Sequence, residues 1–479
     1  MVGRIHSAGY KLVLWHTPWI NTRSDPPKES GFENKLSSHA ENYDEAAAHG
    51  YFVKRPDGSP FIGRWWKGEG SLIDFTNPAA KTWWQDQVRQ VIHLDGKAGA
   101  DGFKDDDAEG SFQGDVRFAD GSSPEVMRNR YCVLYNNAME ELIQKDLSGN
   151  GVLFARSVTT GANGLGFLWG GDNESSFSPE NGLPTVVMAG LNAGMSGMPL
   201  WTADIGGYLR TATTPDPVVE ARWTEYAAFS PTMEILSQAN TQPWNWDRAV
   251  GGTQALDIYR KYAVLHMSLF PYRYAAAQEA AKTGMPLMRA LALLYQNDPR
   301  ARSSRDEYLF GPDLLVAPIT DENTRRPVYL PEGQWVDYWT GAQMSGGKTI
   351  LVDAPLDVLP LFVRGGAVLP KIPEDVMTLV PEKESGNTRV KSLDERRVYE
   401  VFGGESSAEG TIRDFEGRTV TKSGHSLKIL GDPAHVMVRV RFTKVARASV
   451  DGRPAKVQMV GDGAVIEFDH LKESTVSWQ

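Results

Sequence analysis

Over the first 300 residues, short apolar runs alternate with helical patterns. Runs at 11–15, 102–105, 152–156, 166–169, 199–202 and 286–290 have the length and apolar density of buried strands. Helices with clear starts lie between them. Asn77 followed by Pro78 puts a capping side chain before a proline at the first helical position, and Trp83, Trp84, Val88 and Ile92 then mark an apolar face. Ser123-Pro124 opens a second helix in the same way, running to about Lys145. The pattern from Leu256 to Thr283 contains Pro271, which predicts a kink or break there. Strands alternating with helices predict a parallel α/β architecture.

From about Ala301 the texture changes. Residues 314–318, 327–331 and 359–363 read as short strands separated by Pro and Gly turns, an all-β pattern. A polar stretch at 381–396 reads as a linker, and strand-like runs at 398–401, 436–442 and 464–468 suggest a second small β domain. The expected fold class is α/β, a (β/α)₈ TIM barrel over 1–300 followed by two small all-β domains over 301–380 and 381–479. The length of 479 residues suits a barrel of roughly 250 residues plus smaller domains.

Composition narrows the partners. Lys+Arg 50 against Asp+Glu 60 leaves a net charge of −10, without a clustered basic tract, which argues against nucleic acid and against an acidic membrane surface. No 18-residue apolar stretch and no leader with a cleavage site occurs, so the chain as given reads as cytoplasmic, with an export signal on a missing N-terminus left open. The single cysteine, Cys132, cannot form an internal disulfide and lies in a helical pattern with Met127, Tyr131 and Tyr135, as core filler would. The nine histidines form no HExxH pair, and phosphate-loop, dinucleotide and GxSxG motifs are absent. No metal and no cofactor is expected.

The run Gly102-Phe103-Lys104-Asp105-Asp106-Asp107-Ala108-Glu109 ends an apolar strand with three adjacent carboxylates, which repel one another and bring folding no obvious gain. Alternation puts Lys104 and Asp106 on one side and Phe103 and Asp105 on the other. If Phe103 packs against helices, Lys104 and Asp106 face the barrel mouth, where the catalytic residues of such barrels sit. A solvated acidic loop or a weak cation site is the plainer reading. Trp169-Gly170-Gly171-Asp172 offers a flat aromatic face and close backbone approach beside an acid, or simply a Gly-rich turn. Asp204 and Arg156 end two further strands. Each could tie strands together; jointly they outline a polar, aromatic-lined pocket for a polyhydroxylated ligand.

These motifs together resemble glycoside hydrolase family 31, the α-glucosidases, α-xylosidases and relatives. The family's K-x-D-x-x-E nucleophile motif is matched by Lys104, Asp106 and Glu109, and its W-G/S-G-D motif by Trp169 to Asp172. Phe-Ala-Arg-Ser ending at Ser157, Asp204-Ile205-Gly206-Gly207, and Trp15 in the manner of V-W-I-N-P match further blocks. The resemblance implies a retaining α-glycosidase acting on an oligosaccharide or glycoside, with Asp106 as nucleophile and Asp172 as general acid/base, their carboxyl groups about 5–5.5 Å apart. It also implies sugar binding by Trp15, Lys104, Arg156, Trp169 and Asp204, with Glu109 in support. Lys104 and Arg156 would help keep Asp106 ionised, and Asp172 beside Trp169 would have a raised pKa. A homo-oligomer is left open.

Two departures qualify the resemblance. Where the family commonly has S-P-x-x-R-x-H, this chain has Ser230-Pro231-Thr232-Met233-Glu234-Ile235-Leu236, with Glu234 at the arginine and Leu236 at the sugar-contacting histidine. Glucosides, xylosides and galactosides therefore all stay open. The chain also starts where the family's third barrel strand would be, so the reading expects a fragment lacking the N-terminal β-sandwich and first barrel strands. A non-catalytic carbohydrate-binding remnant is the alternative function, although a binder has no need of both Asp106 and Asp172. A Schiff-base role for Lys104 is disfavoured, because adjacent carboxylates stabilise its charged form.

Overall fold

The computed structural model describes residues 1–479 other than 26–38, 95, 111, 211–214, 239–240, 377–378, 380–395, 403–409 and 415–416. The stretch expected as a linker, 381–396, lies outside the described residues except for Arg396. Two compact units divide the chain, Met1–Trp169 and Gly170–Gln479.

In the first unit the elements that build the site and its core are, in chain order, β1 (Val13–His16), β2 (Trp19–Ser24), β3 (Gly63–Trp65), β4 (Gly68–Leu72), α1 (Pro78–Ile92), β5 (Gly102–Asp105), α2 (Pro124–Asp146), β6 (Val152–Ala155) and β7 (Phe167–Trp169); short helices at Val2–Ser7 and Tyr43–Ala48 and a hairpin of His93–Leu94 with Lys97–Ala98 complete it. β1, β5, β6 and β7 form a parallel sheet in that order, with His16 opposite Asp105, Lys104 opposite Phe154, and Phe154 opposite Phe167. Both long helices begin as the capping residues predict: Asn77 accepts a hydrogen bond from the Ala79 amide, and Ser123 from that of Val126. Trp84, Val88 and Ile92 of α1, Tyr131, Tyr135 and Leu142 of α2, and Phe103 and Leu153 from the strands share one buried core. Cys132 is buried in it, and burial pushes its thiol up to about 11, the environment of a structural cysteine rather than a nucleophile.

The antiparallel sheet β2-β4-β3 was not expected from the sequence. Its strands β3 and β4 are short and rich in Gly and charged residues, so they lack the apolar alternation that marks a half-buried strand. At Gly68, with φ +140°, a Cβ would lie 2.0 Å from the Arg23 carbonyl oxygen, so β4 can lie against β2 there only with glycine.

In the second unit, helices Leu183–Met195 and Pro217–Ala227 flank the short strand Trp201–Thr202 in sequence. The expected break falls at Leu269, between helices Gln254–Ser268 and Phe270–Thr283, with Pro271 in the first turn of the second. Met288–Ala290 departs from the parallel pattern. Leu287 still donates to the Pro199 carbonyl at 3.2 Å, but the strand's ladder is antiparallel, with Tyr308–Phe310. Only three residues separate Gly284, the left-handed end of the helix, from Met288, and the strand then joins a six-stranded sheet with Leu314–Val316, Leu361–Arg364, Gln334–Asp337 and Gln343–Ser345.

Val368–Lys371 already belongs to the distal layer, pairing with Arg396–Phe402. That five-stranded sheet and a six-stranded sheet containing Ser426–Leu430 and Glu473–Trp478 enclose a common core of Tyr399, Val401, Val438, Leu427, Ile429 and Val476. Alternating buried and partly exposed residues along Ala434–Arg441 are what such packing requires.

Candidate active site

The acidic run at the end of β5 is resolved by pleat and by one unusual backbone angle. Phe103 and Asp105 turn toward the helix side, where Phe103 enters the core and Asp105 meets His16. Lys104 and Asp106 take the other side. Asp107 follows with φ +55°, a left-handed conformation that aspartate tolerates better than most residues. The three carboxylates thus diverge instead of stacking.

On the Asp106 side the partners are dense. Trp15 Nε1, from the neighbouring β1, donates to Oδ2 at 2.7 Å; the Asp107 amide donates to Oδ1 at 2.8 Å; Arg156 Nη1, at the end of β6, lies 2.8 Å from the same Oδ1. Arg156 also reaches Asp107 (2.8 Å) and Glu109 (2.7 Å). Burial alone would loosen the guanidinium's proton, but Asp106, Glu109 and Asp107 reverse this and raise its pKa. Lys104 Nζ lies 4.2 Å from the centre of the Trp169 ring, and Arg156 stands over the same ring at 5.8 Å. Trp15, Lys104, Asp106, Glu109, Arg156 and Trp169 are therefore gathered at the C-terminal ends of four adjacent parallel strands, or directly after them.

Sequence reasoning missed Trp66. It follows β3, stands edge-on to Trp15 with centroids 5.9 Å apart, and donates from Nε1 to Asp107 Oδ2 at 2.8 Å. Burial, then the charge of Asp106, raises the Asp107 carboxyl to about 6 against the opposing effects of Trp66 and Arg156. The available signal was the Trp65-Trp66-Lys67 cluster between Gly63 and Gly68, an aromatic tip on a glycine-rich hairpin. Trp66 is 55% exposed, which leaves much of its ring accessible to a ligand.

Asp172 and Asp204 belong to the second unit. Asp172 is exposed, follows Gly171 at φ +76°, and has its backbone carbonyl held by Asn181 Nδ2 at 2.9 Å. Asp204 is buried beside Glu234: the two pair as a parallel bridge, and the Ile205 amide donates to the Glu234 carbonyl at 2.8 Å. Leu236, at the position of the family's histidine, is 42% exposed. Among the described residues no group of three His, Cys, Asp or Glu is placed to hold a metal ion, and no helix is long and apolar enough to cross a membrane.

Residues 1–276 match the glycosyl hydrolases family 31 TIM-barrel domain, and residues 284–369 match the glycosyl hydrolase family 31 C-terminal domain. The chain belongs to glycoside hydrolase family 31: it carries the family's TIM-barrel domain followed by all-β domains. It is 36% identical to an isomaltosyltransferase of Sporosarcina globispora over 402 residues, 82% of this chain and 35% of that protein. It is 31% identical to an alpha-xylosidase of Emericella nidulans over 380 residues, 77% of this chain and 45% of that one. The cycloalternan-forming enzyme from Listeria monocytogenes, solved with a pentasaccharide substrate, superposes with a TM-score of 0.84 at 29% identity, covering 100% of this chain and 46% of that structure. The chain spans less than half the length of each of these three relatives.

Proposed function

We propose that the protein is a retaining α-glycosidase that cleaves a terminal α-linked sugar from an oligosaccharide or glycoside. The observation that carries this reading is the Asp106 carboxylate at a barrel strand end, with Trp15 on one oxygen and Arg156 and the Asp107 amide on the other. Donors on both oxygens hold the carboxylate in one orientation, which is what in-line attack on an anomeric carbon needs. In this reading Asp106 forms a β-glycosyl-enzyme while Asp172, which stands in the W-G-G-D motif, protonates the departing oxygen. Asp172 then acts as base toward the incoming acceptor. Trp66 and Trp15 supply apolar faces on which pyranose rings stack, and Lys104, Arg156 and Asp204 bind hydroxyls, with Glu109 holding Arg156 in place.

The names of the isomaltosyltransferase and the cycloalternan-forming enzyme favour α-glucosyl oligosaccharides as substrates, and a second reading in which a sugar hydroxyl replaces water as acceptor. Turnover of a panel of aryl α-glucosides, α-xylosides, α-galactosides and α-isomaltosides separates these readings. Products of retained configuration, abolished by Asp106→Ala, support the glycosidase; products lengthened by added oligosaccharide support transfer. Silence of the well-folded protein across the panel favours the carbohydrate-binding alternative.

A further inference from the structure

Behind the nucleophile strand, on the face turned away from Asp106, a second acid is sealed in an aromatic box. Asp105 is 1% exposed, and its Oδ1 lies 3.2 Å from His16 Nε2 on the neighbouring strand. Both Asp105 oxygens and His16 Nε2 are out of contact with solvent and find no other polar partner among the described residues. The other ring nitrogen of His16, Nδ1, is hydrogen-bonded to the hydroxyl of Tyr135, which is fully buried on α2. The His16 ring packs against Phe103 (5.0 Å), Tyr135 (5.6 Å) and Trp84 (5.9 Å). The titratable groups facing this cluster are few: Asp106 bears on Asp105, and Asp106, Asp107 and Tyr131 bear on Tyr135.

A lone ionised carboxylate in such a box would be strongly disfavoured, the more so with Asp106 next to it in sequence. Both groups shift accordingly. Burial and then the Asp106 charge push the Asp105 carboxyl well above its usual range, and burial pushes His16 down to about 3. The two orphaned atoms 3.2 Å apart are then served by one proton resident on Asp105. His16 in its Nδ1–H tautomer would complete the chain by donating to the Tyr135 oxygen. The backbone links this cluster to the site directly, because the Asp106 amide donates to the His16 carbonyl at 3.1 Å.

We propose that Asp105 is a positioning residue for the nucleophile, an uncharged acid whose O–H donates a hydrogen bond to His16 Nε2, so that Asp105, His16 and Tyr135 together lock the ends of β1 and β5 behind Asp106. The catalytic side of this inference rests on the reading of Asp106 as nucleophile; the protonation state does not. Asparagine can make the same donation without titrating, so Asp105→Asn keeps turnover within about twofold and leaves the acid limb of kcat/KM where it was. Asp105→Leu lowers kcat about tenfold or more with KM little changed, because a small displacement of a reacting group is costly. A fall of the acid limb by a pH unit in Asp105→Asn would show that a negative charge had been removed, and would overturn the proposal.

If Asp105→Leu does not fold, the infrared difference spectrum of wild type minus Asp105→Asn decides instead. Loss of a protonated carboxyl stretch is expected, and loss of an ionised carboxylate band overturns the proposal. That spectrum needs no turnover, so its failure is distinct from failure of the nucleophile reading, which Asp106→Ala tests separately.

Discussion

Arg156 and Asp106 are joined across two neighbouring strands, with Nη1 2.8 Å from Oδ1. The same guanidinium holds Asp107 and Glu109, so a single cation offsets three carboxylates. Removing it leaves those charges facing one another in a partly buried site. Arg156→Ala should lower kcat/KM by about 10²–10³, the usual consequence of orphaning a buried charged partner. With the cation gone, ionisation in the cluster is harder, so the acid limb of kcat/KM should move to higher pH. Arg156→Lys keeps the charge without the fork and should fall between the two. Steady-state kinetics across pH checks all three.

Asp107 makes stability itself depend on pH. Its folded carboxyl titrates at about 6, above the unfolded value of about 3.9. The folded state therefore binds this proton more tightly than the unfolded state. The contribution of Asp107 to folding is most favourable below pH 4 and is lost as pH rises through 6. Asparagine cannot titrate and tolerates the φ of +55° at this position. The change in Tm between pH 4 and pH 7 should be less unfavourable in Asp107→Asn than in the wild type; an identical change in both would contradict the assignment.

The sequence was most informative where two independent signals coincided. A cap followed by proline marked the two long helices of the first unit, Pro78–Ile92 and Pro124–Asp146, and pleat alternation alone put Asp105 and Asp106 on opposite sides of the strand. The Leu269 break followed from Pro271, a residue with one mechanical meaning. Other features depend on contacts between distant residues. Trp66 joins the site only because β3 and β4 fold back on β2, and glycine-rich strands carry no periodic trace. Met288–Ala290 has the apolar run of a barrel strand, and only its partner at Tyr308–Phe310 shows the ladder to be antiparallel. The role of His16 was equally hidden, since a single histidine in a strand is silent until Asp105 and Tyr135 close on it.

Asp247 tests the fold away from the chemistry. Its carboxylate is buried and accepts from the amides of Ala255 and Leu256 at 3.0 and 3.1 Å, in the first turn of helix Gln254–Ser268. Two amides at a helix start lose their partner in Asp247→Ala, and negative charge near the positive end of the helix dipole is lost with them. A cost of about 1–2 kcal/mol is expected from denaturant unfolding. Since the carboxylate serves a helix start and has no part in the proposed chemistry, kcat at a permissive temperature should be almost unchanged.

Asp172 offers the sharpest separation of roles, because the two carboxylates of a retaining enzyme fail in different ways. An acid/base residue is needed in the first step only when the leaving group is poor. Asp172→Ala should therefore lower hydrolysis of an unactivated disaccharide by about 10²–10⁴, while glycosylation by a dinitrophenyl glycoside, which departs without a proton, suffers far less. The glycosyl-enzyme then accumulates, since nothing activates water. Azide needs no base, so it should restore turnover of the activated substrate and give the α-glycosyl azide, of retained configuration. Loss of Asp106 has the opposite signature. No glycosyl-enzyme forms in Asp106→Ala, and azide, standing in for the missing carboxylate, would attack the sugar directly to give the β-azide. The anomer recovered from each variant, read by NMR, thus assigns the two carboxylates independently of rate. A β-azide from Asp172→Ala would reverse the assignment, and an inverted product from the wild-type enzyme would remove the retaining mechanism from consideration.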